Sequence, residues 1–402
     1  MSGKNSISRH GLLNMFSRIT GWRGVLGAFL AFSLVHVSAE QQPPTVYFFH
    51  PDTENTPFWG KVYDVMAAAA DDLGVELHGV PSKDNSISVK RSGIELVESL
   101  NRGDYLITGY WAVSTGKFIE IAEERGVRVF VINADFSEEE NKDLGLPRTR
   151  FKRWIGHMYA NDEQAGYELA DSLITQAIKA GKMAKDGKVH VVALYGGDKA
   201  VVPESRDRGL RRRVGAFSDA VLDVVMSAMW DSDSAMPITL QMLNQHPEAT
   251  VVWAASDSMA FGAIEAIKSS GKKPGADIFV GGVDWSDEGI EAVASGMMSA
   301  SVGGHFLEGA WSLILVHDYH YGIDFADDPG VRSMTSMHSV TVDTVKDYKA
   351  KLGNPDWNRI DFKQFSKKHN PDIEKYDFSL QALLNAFDKA GTVKNRTETK
   401  GD

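Results

Sequence analysis

The chain has 402 residues, of which 43% are hydrophobic, so it can bury the core of one or two ordinary domains. Lys and Arg number 43 against 54 Asp and Glu, a formal charge of -11, and this acidity disfavours nucleic acid as a partner. The sequence has no cysteine, which excludes disulfides, thiolate nucleophiles, Cys-ligated zinc and a lipid-modified cysteine anchor.

The first forty residues have the pattern of a secretory signal peptide. A basic stretch precedes the apolar run GVLGAFLAFSLV, which is followed by the small-x-small site Val37-Ser38-Ala39. The alternative is a membrane anchor, but the run is shorter than the ~20 residues that a spanning helix needs. We therefore predict that residues 1–39 are a signal peptide and that the mature protein is periplasmic.

After Pro43-Pro44, short apolar runs alternate with amphipathic stretches of helical period, as in βαβ units with parallel sheets. The first predicted strands are VYFFH, VELHGV, YLITG and RVFVINA. After a charged loop, the second set is VHVVALYG, VVMSAMW, TVVWAA, DIFVGGV and MSASVG. Since each set would make one doubly wound lobe, we predict an α/β fold of two Rossmann-like lobes with a ligand cleft between them.

Residues 353–402 are polar with scattered aromatic side chains, and we predict an extension packed on a lobe, followed by a disordered tail from about Gly391. Catalytic motifs are missing from the sequence: it has neither a Gly-x-Ser-x-Gly elbow nor phosphate- or dinucleotide-binding glycine loops. His317 and His320 share a helix face, but an aromatic seam explains them better than a metal without a third ligand. We expect no catalytic residue, metal or cofactor.

Aromatic and polar side chains follow several predicted strands, where open α/β sheets bind ligands. Sugar rings stack on aromatic faces, and their hydroxyls need Asn, Asp and Arg. For a single aromatic residue, ordinary packing between the lobes is an equal alternative. The predicted ligand-binding residues are Asn55, Phe58, Trp59, Trp111, Asn133, Asp135, Arg208, Ser256, Asp284 and Trp285, with Tyr110 as a further aromatic candidate.

Two of these assignments rest on helix starts. Arg208 lies in ESRDRGLRRRV, near a helix start where the dipole disfavours cations, so a desolvated anionic or hydroxyl partner would explain it. Asp257 precedes the apolar helix SMAFGAIEAI, and we predict that it caps this helix because a carboxylate accepts the free N–H groups of a first turn. Ser256 is then the ligand candidate of the two.

The chain resembles the type I periplasmic sugar-binding proteins, near the ribose-binding branch and the autoinducer-2 receptor. The resemblance spans roughly residues 45–343 and rests on the order of stretches such as TPFWGKVYDVMAAAADDLGV, YANDEQAGYELADSL, SRDRGLRRRVGAF and FVGGVDWSDEGIEAV. It implies that Phe58 and Trp59 sandwich a sugar, that Arg208 grips its oxygens, and that Asn133 and Asp284 occupy positions of family aspartates. Ser256, Ala134 and Gly304-His305 depart from the usual Asn, Arg and Gln, which argues against a simple pentose.

The resemblance also implies a hinge of three crossovers, near residues 153–158, 302–304 and 336–340. The lobes would then be residues 45–155 with 303–337, and 156–302 with 338–352. The implied function is a monomeric solute-binding protein that closes on a small sugar or sugar-like ligand and delivers it to a membrane ABC permease. The alternative is a receptor that signals to the periplasmic domain of a sensor kinase.

Overall fold

The computed structural model describes residues 41–51, 57–82, 86–112, 114–197, 201–352 and 356–398, and within them the chain forms two six-stranded sheets covered by helices. The first half contains β1 (Thr45–His50), α1 (Pro57–Leu73), β2 (Glu76–Pro81), α2 (Ser86–Ser99), β3 (Tyr105–Gly109), α3 (Thr115–Arg125), β4 (Arg128–Ile132), α4 (Glu138–Leu144) and β5 (Trp154–Ala160). The second contains α5 (Asp162–Lys179), β6 (Val189–Tyr195), α6 (Val201–Ala216), β7 (Ala220–Ser227), α7 (Ser232–Gln245), β8 (Ala249–Ala254), α8 (Asp257–Ser269), β9 (Phe279–Val283), α9 (Asp287–Ala294) and β10 (Ala300–Gly303). The chain continues with α10 (Glu308–His320), β11 (Arg332–Thr335), β12 (His338–Thr341), α11 (Val345–Leu352) and α12 (Leu380–Glu398).

The two sheets repeat one topology. Their strand orders are β11-β5-β4-β3-β1-β2 and β12-β10-β9-β8-β6-β7, with parallel pairing except between β10 and β12. In each sheet the connections change direction beside the first strand, and ligands bind at the carboxyl ends of strands at such points. The predicted α/β class with two doubly wound lobes is therefore confirmed. No described helix is long and apolar enough to cross a membrane.

The chain passes between the sheets three times, and the first passage lies later than predicted. β5 pairs with β4 and β11 and stays in the first sheet as far as Ala160, whereas the sequence analysis places a crossover at 153–158 and a lobe boundary after residue 155. The sequence WIGHMYA does not predict a strand, because a glycine and a histidine interrupt the apolar run. Gly156 is needed there, since a Cβ on it would lie 2.4 Å from the Phe130 ring. The other passages follow β10 at Gly303 and join β11 to β12.

Two glycines let α5 and α6 approach closely in the second lobe. A Cβ on Gly166 would lie 1.9 Å from the carbonyl oxygen of Arg206, and one on Gly209 would lie 2.0 Å from that of Glu163. A real Cβ cannot occupy either position. The contact brings the start of α6 against the start of α5, and so it places Arg206 beside Asp162.

The C-terminal extension covers α10. This helix is buried from Glu308 to Asp318, because it packs against α1 and the first sheet and is covered by aromatic rings of the extension. Trp311 stacks on Phe378 with ring centres 5.0 Å apart and also contacts Phe365. Buried Asp318 accepts hydrogen bonds from the Ser366 hydroxyl, the Lys367 amide and the Tyr376 hydroxyl.

The end of the extension differs from the sequence-based expectation of a disordered tail from about Gly391. α12 continues to Glu398. Its first turns are anchored by buried Leu383 and Phe387, and a helix that is already nucleated gains one backbone hydrogen bond for each added residue.

The histidine pair His317 and His320 lies on α10. His317 bonds to Asp318 and stacks on His369, while His320 Nε2 bonds to the carbonyl oxygen of Gln42.

Candidate functional site

A cavity of about 560 Å³ lies where the carboxyl ends of strands from both sheets face each other, and its size is within the range of roughly 300–1,000 Å³ typical of ligand pockets. From the first lobe and the hinge it is lined by Pro51, Phe58, Trp59, Tyr110, Trp111, Ala112, Asn133, Ala134 and His305. From the second lobe it is lined by Val201, Val202, Pro203, Arg206, Trp230, Ser256, Asp257, Ser258, Asp284 and Ser286. Asn55, a predicted contact, lies outside the described residues.

The first lobe presents an aromatic wall. Phe58 and Trp59, in the first turn of α1, meet edge to face with ring centres 5.4 Å apart. Trp59 also packs over Gly109, where a Cβ would lie 2.6 Å from the indole, so the ring is held in place. Trp111 lies on the same side, and its buried Nε1 has no hydrogen-bond partner among the described residues. The structure thus brings three predicted aromatic residues together and leaves one indole donor available.

His305 and Trp230 also line the cavity, and the sequence analysis does not select either as a ligand contact. The His305 ring stacks on Phe58 at 4.4 Å, and burial lowers the pKa of His305 well below its ordinary value, so the imidazole is neutral. Trp230 faces the cavity from the second lobe in a left-handed conformation, φ 64°, and lies against Gly196. The signal for Trp230 was its place at the end of the predicted strand VVMSAMW.

Arg206 is the buried cation of the site. Its side chain is 5% exposed; Nε donates to Asp162 Oδ1 at 2.7 Å and Nη1 donates to the carbonyl oxygen of Ala255 at 2.6 Å. Nη1 also lies 3.5 Å from Asp284 Oδ1, and the guanidinium lies 5.7 Å from the centre of the Trp230 ring. These contacts fix the planar group at the cavity wall, where its fork suits adjacent hydroxyl oxygens.

Arg208 does not take the place that the sequence analysis predicts for it. Its side chain is 58% exposed, lies near Glu163 at 3.5 Å and donates to the Ser205 hydroxyl, away from the cavity lining. The physical reason is helical geometry: residues two apart on a helix face different directions, and Arg206 is the one turned inward. The argument for a desolvated arginine at this helix start therefore applies to Arg206 and not to Arg208.

The N-cap of α8 is Ser256, and not Asp257 as the sequence analysis predicts. Ser256 is the N-cap, since its hydroxyl accepts from the Met259 amide at 3.3 Å, and it also lines the cavity. Asp257 is buried and accepts from the amide and hydroxyl of Ser286, both at 2.9 Å, and from the Ser301 hydroxyl at 2.8 Å. Burial raises the pKa of Asp257 to about 6, against these hydrogen bonds.

Asp284 lies at the cavity wall and Trp285, next to it, does not. Asp284 Oδ1 is 3.8 Å from His305 Nε2, and burial raises the pKa of Asp284 to about 8 although Arg206 opposes the rise. Trp285 is 1% exposed, donates from Nε1 to the carbonyl oxygen of Ser301 and packs edge to face on Tyr348. Trp285 is thus a core residue that holds the turn, because successive residues of that turn point to opposite sides.

Asp135 is another predicted contact that the structure places outside the cavity lining. Its carboxylate pairs with Arg332 on β11 and accepts from the Phe136 amide at 2.9 Å. The pair ties the end of β4 to the edge strand of the first sheet. Asn133, two residues earlier, does line the cavity. Its backbone is left-handed, with φ 82°, and its backbone N–H points towards Glu308.

Glu308 lies at the hinge behind the cavity. Its carboxyl group accepts hydrogen bonds from the backbone N–H of Asn133 at 2.8 Å and from the Thr335 hydroxyl, so it joins β4, β11 and α10. Burial, the largest effect, raises the pKa of Glu308 from its ordinary value of 4.5 to about 8. In the unfolded chain the group loses its proton near 4.5, so between these values the folded protein holds the extra proton and stability falls as the pH rises.

The Glu308→Gln variant tests this linkage. The wild-type protein should be more stable to denaturant at pH 5 than at pH 8.5, and the variant, which cannot ionise, should lose less stability over that interval. We expect the loss of stability between pH 5 and pH 8.5 to be smaller in the variant by at least about 1.4 kcal/mol, which corresponds to one pKa unit. Denaturant unfolding at both pH values measures it. An equal pH dependence in the two proteins would contradict a neutral, buried Glu308.

Known proteins resemble the chain in both sequence and structure. The family description of the periplasmic binding protein domain matches residues 46–316, more than half of the chain. The ribose import binding protein of Bacillus subtilis is 30% identical over 254 residues, covering 62% of this chain and 73% of that protein. The ribose import binding protein of Haemophilus influenzae is 26% identical over 250 residues, covering 62% and 76%.

Among solved structures, a periplasmic sugar-binding protein from Pseudomonas fluorescens is similar over 85% of this chain and 99% of its own, with a TM-score of 0.74 and 27% identity. The family match covers the residues that line the cavity and most of both sheets, up to α10. The chain therefore belongs to the type I periplasmic sugar-binding protein family, in its ribose-binding branch.

Proposed function

We propose that this protein is the solute-binding component of an ABC importer and closes its cavity on one small sugar or sugar-like molecule. The observation that carries the proposal is the lining of the cavity: a buried guanidinium, Arg206, lies 5.7 Å from the ring centre of Trp230, and Phe58 and Trp59 of the first lobe line the same cavity. Flat C–H faces of a ring suit the aromatic walls, and ring hydroxyls suit the guanidinium, Asn133 and Asp284.

The polar groups of the cavity favour binding over catalysis. Of the aspartates that line the cavity, Asp257 accepts hydrogen bonds from the hydroxyls of Ser286 and Ser301, and Asp284 Oδ1 lies 3.5 Å from Arg206 Nη1. A general acid or base must be free to exchange a proton with the ligand, and these carboxylates are held by other donors. In this proposal the bound solute leaves unchanged.

Import is preferred to signalling because relatives across the matched region are named as ribose import binding proteins. Transfer to a membrane ABC permease is thus the proposed role of the closed form, and the match to the periplasmic binding protein domain supports a periplasmic location. Signalling to a sensor kinase is the alternative prediction.

Isothermal titration calorimetry tests the binding function. The protein is unfolded, dialysed free of any carried ligand, refolded and titrated with ribose, allose and xylitol, which related binding proteins are named for. Myo-inositol extends the panel, and glutamate serves as an anionic control. We expect 1:1 binding of at least one sugar or polyol and none of glutamate. Failure of all the neutral solutes, or preference for glutamate, would contradict the proposal.

A further inference from the structure

A second cluster of chemically active side chains lies in the second lobe, at the amino ends of its strands. In the described part of the chain, His190, Asp223 and Glu248 bring one ligand atom each to within 4.8 Å of one another. His190 is the second residue of β6, and the cavity begins beyond the last, Tyr195. At about 3.3 Å per residue, the cluster lies roughly 16 Å from the cavity end of β6, near the opposite end of the strand.

Two irregularities in the sheet bring these side chains together. In the pairing of β6 with β7, Val191 lies opposite Leu222 but Val192 opposite Val224, so Asp223 is an extra residue on the edge strand. On the other side of β6, the register with β8 also shifts, between His190 and Val191. A bulge turns a side chain in a new direction and is common beside functional sites. Here it turns Asp223 towards His190.

The distances within the cluster suit a small divalent cation. His190 Nδ1 lies 3.0 Å from both carboxylate oxygens of Asp223 and 3.8 Å from Glu248 Oε1. His246 Nδ1, at the end of α7, lies 4.0 Å from Asp223 Oδ2. Donor atoms bound to one tetrahedral zinc at 2.0–2.1 Å are roughly 3.3 Å apart, so small side-chain shifts would complete the shell.

The other ring nitrogen of His190 is already oriented. Nε2 lies 3.3 Å from Asp186 Oδ2 in the turn before β6. A carboxylate on the far nitrogen of a ligating histidine fixes its tautomer and leaves the other nitrogen to the metal. Lys182, near the same groove, points its ammonium to Asp277 at 3.1 Å.

We propose that His190, Asp223 and Glu248, with His246 as a fourth ligand, form a site for a divalent transition-metal ion of the zinc class. Imidazole and carboxylate donors without thiolate suit Zn²⁺ and its neighbours. The bound ion replaces the hydrogen bond between His190 and Asp223 and ties β6, β7 and the turn before β8 together. It stabilises the second lobe and is independent of the sugar cavity.

Titration with ZnCl₂ tests the site in protein free of any histidine tag and treated with EDTA. We expect the wild type to bind one equivalent and to melt at a higher temperature with zinc, because a ligand that binds only the folded state stabilises it. His190→Ala should remove the stoichiometric binding and the thermal shift. Glu248→Gln, at a half-exposed position, should fold normally and weaken binding at least about tenfold.

His78→Ala is the matched control. His78 Nε2 lies 3.1 Å from Glu76 Oε1 in the first lobe, and this exposed histidine-carboxylate pair has no third ligand beside it among the described residues. This variant should bind zinc like the wild type, and anomalous diffraction at the zinc edge should show the ion beside His190 Nδ1. The proposal is overturned if wild-type protein binds no stoichiometric zinc, or if His190→Ala and Glu248→Gln bind it unchanged. The cluster is then an ion-pair network only.

Discussion

Replacing Arg206 with alanine should weaken sugar binding by at least roughly 30-fold and lower stability. The guanidinium is the fixed donor of the cavity, and its removal also leaves Asp162 buried without its partner. Breaking such a buried pair costs about 3–5 kcal/mol of folding free energy, and loss of a buried charged contact to a ligand weakens binding by about 2 kcal/mol or more. Calorimetry with the best sugar and denaturant unfolding measure the two effects.

Arg208→Ala is the control for this prediction because Arg208 belongs to the same basic run but is exposed. It should bind sugar like the wild type and change stability by less than about 0.5 kcal/mol. Arg206→Lys keeps the charge without the planar fork, so it should fold while binding the sugar weakly. Full affinity in Arg206→Lys would mean that the ligand does not use the planar guanidinium of Arg206. A larger loss of affinity in Arg208→Ala than in Arg206→Ala would mean that Arg208 faces the ligand.

Replacing Trp59 with alanine should weaken sugar binding by about 2 kcal/mol, or roughly 30-fold, while the protein remains folded. The indole forms part of the aromatic wall and is held against Gly109 and Phe58, so its face is fixed before the ligand arrives. A fixed aromatic face loses little entropy on binding. Calorimetry measures the affinity, and a thermal melt checks the fold.

Two further variants separate stacking from general packing. Trp59→Phe keeps an aromatic face and should lose less affinity than Trp59→Ala. Trp357→Ala removes an indole that packs on Phe306 and Phe387 outside the cavity lining, so it should lower stability and leave affinity unchanged. If Trp59→Ala binds like the wild type, the ligand does not stack on this wall.

The sequence is most informative where a local pattern has one physical cause. Buried parallel strands such as YLITG and FVGGV are continuous apolar runs because both faces are covered by helices, and both appear as predicted. Aromatic residues in the loop or first helical turn after a strand, such as Trp111 after β3 and Phe58 after β1, lie near the carboxyl edge of the sheet because the chain leaves each strand there. β5 was missed because its glycine and histidine are explained only by packing against Phe130 and by pairing with β11.

Candidate contacts at turns were the least predictable part of the site. Whether Asp284 or Trp285 faces the cavity depends on left-handed backbone angles at both residues, which a one-dimensional pattern does not display. The choice between Arg206 and Arg208 depends on how closely α5 approaches α6, and Gly166 and Gly209 set that distance. The cluster of His190, Asp223 and Glu248 likewise depends on tertiary structure, because a bulge and residues from different strands bring it together.

By itself, the sequence determined the fold class, the two-lobed arrangement and the edges at which a ligand site would form, because these follow from hydrophobic period and strand direction. Only the tertiary structure decided which polar side chains enter the cavity and which are held elsewhere, as with Asp135 on Arg332 and Asp257 on Ser286 and Ser301. The physical reason is that burial and hydrogen-bond partners come from residues distant in the chain, and they set both the direction and the charge of each group.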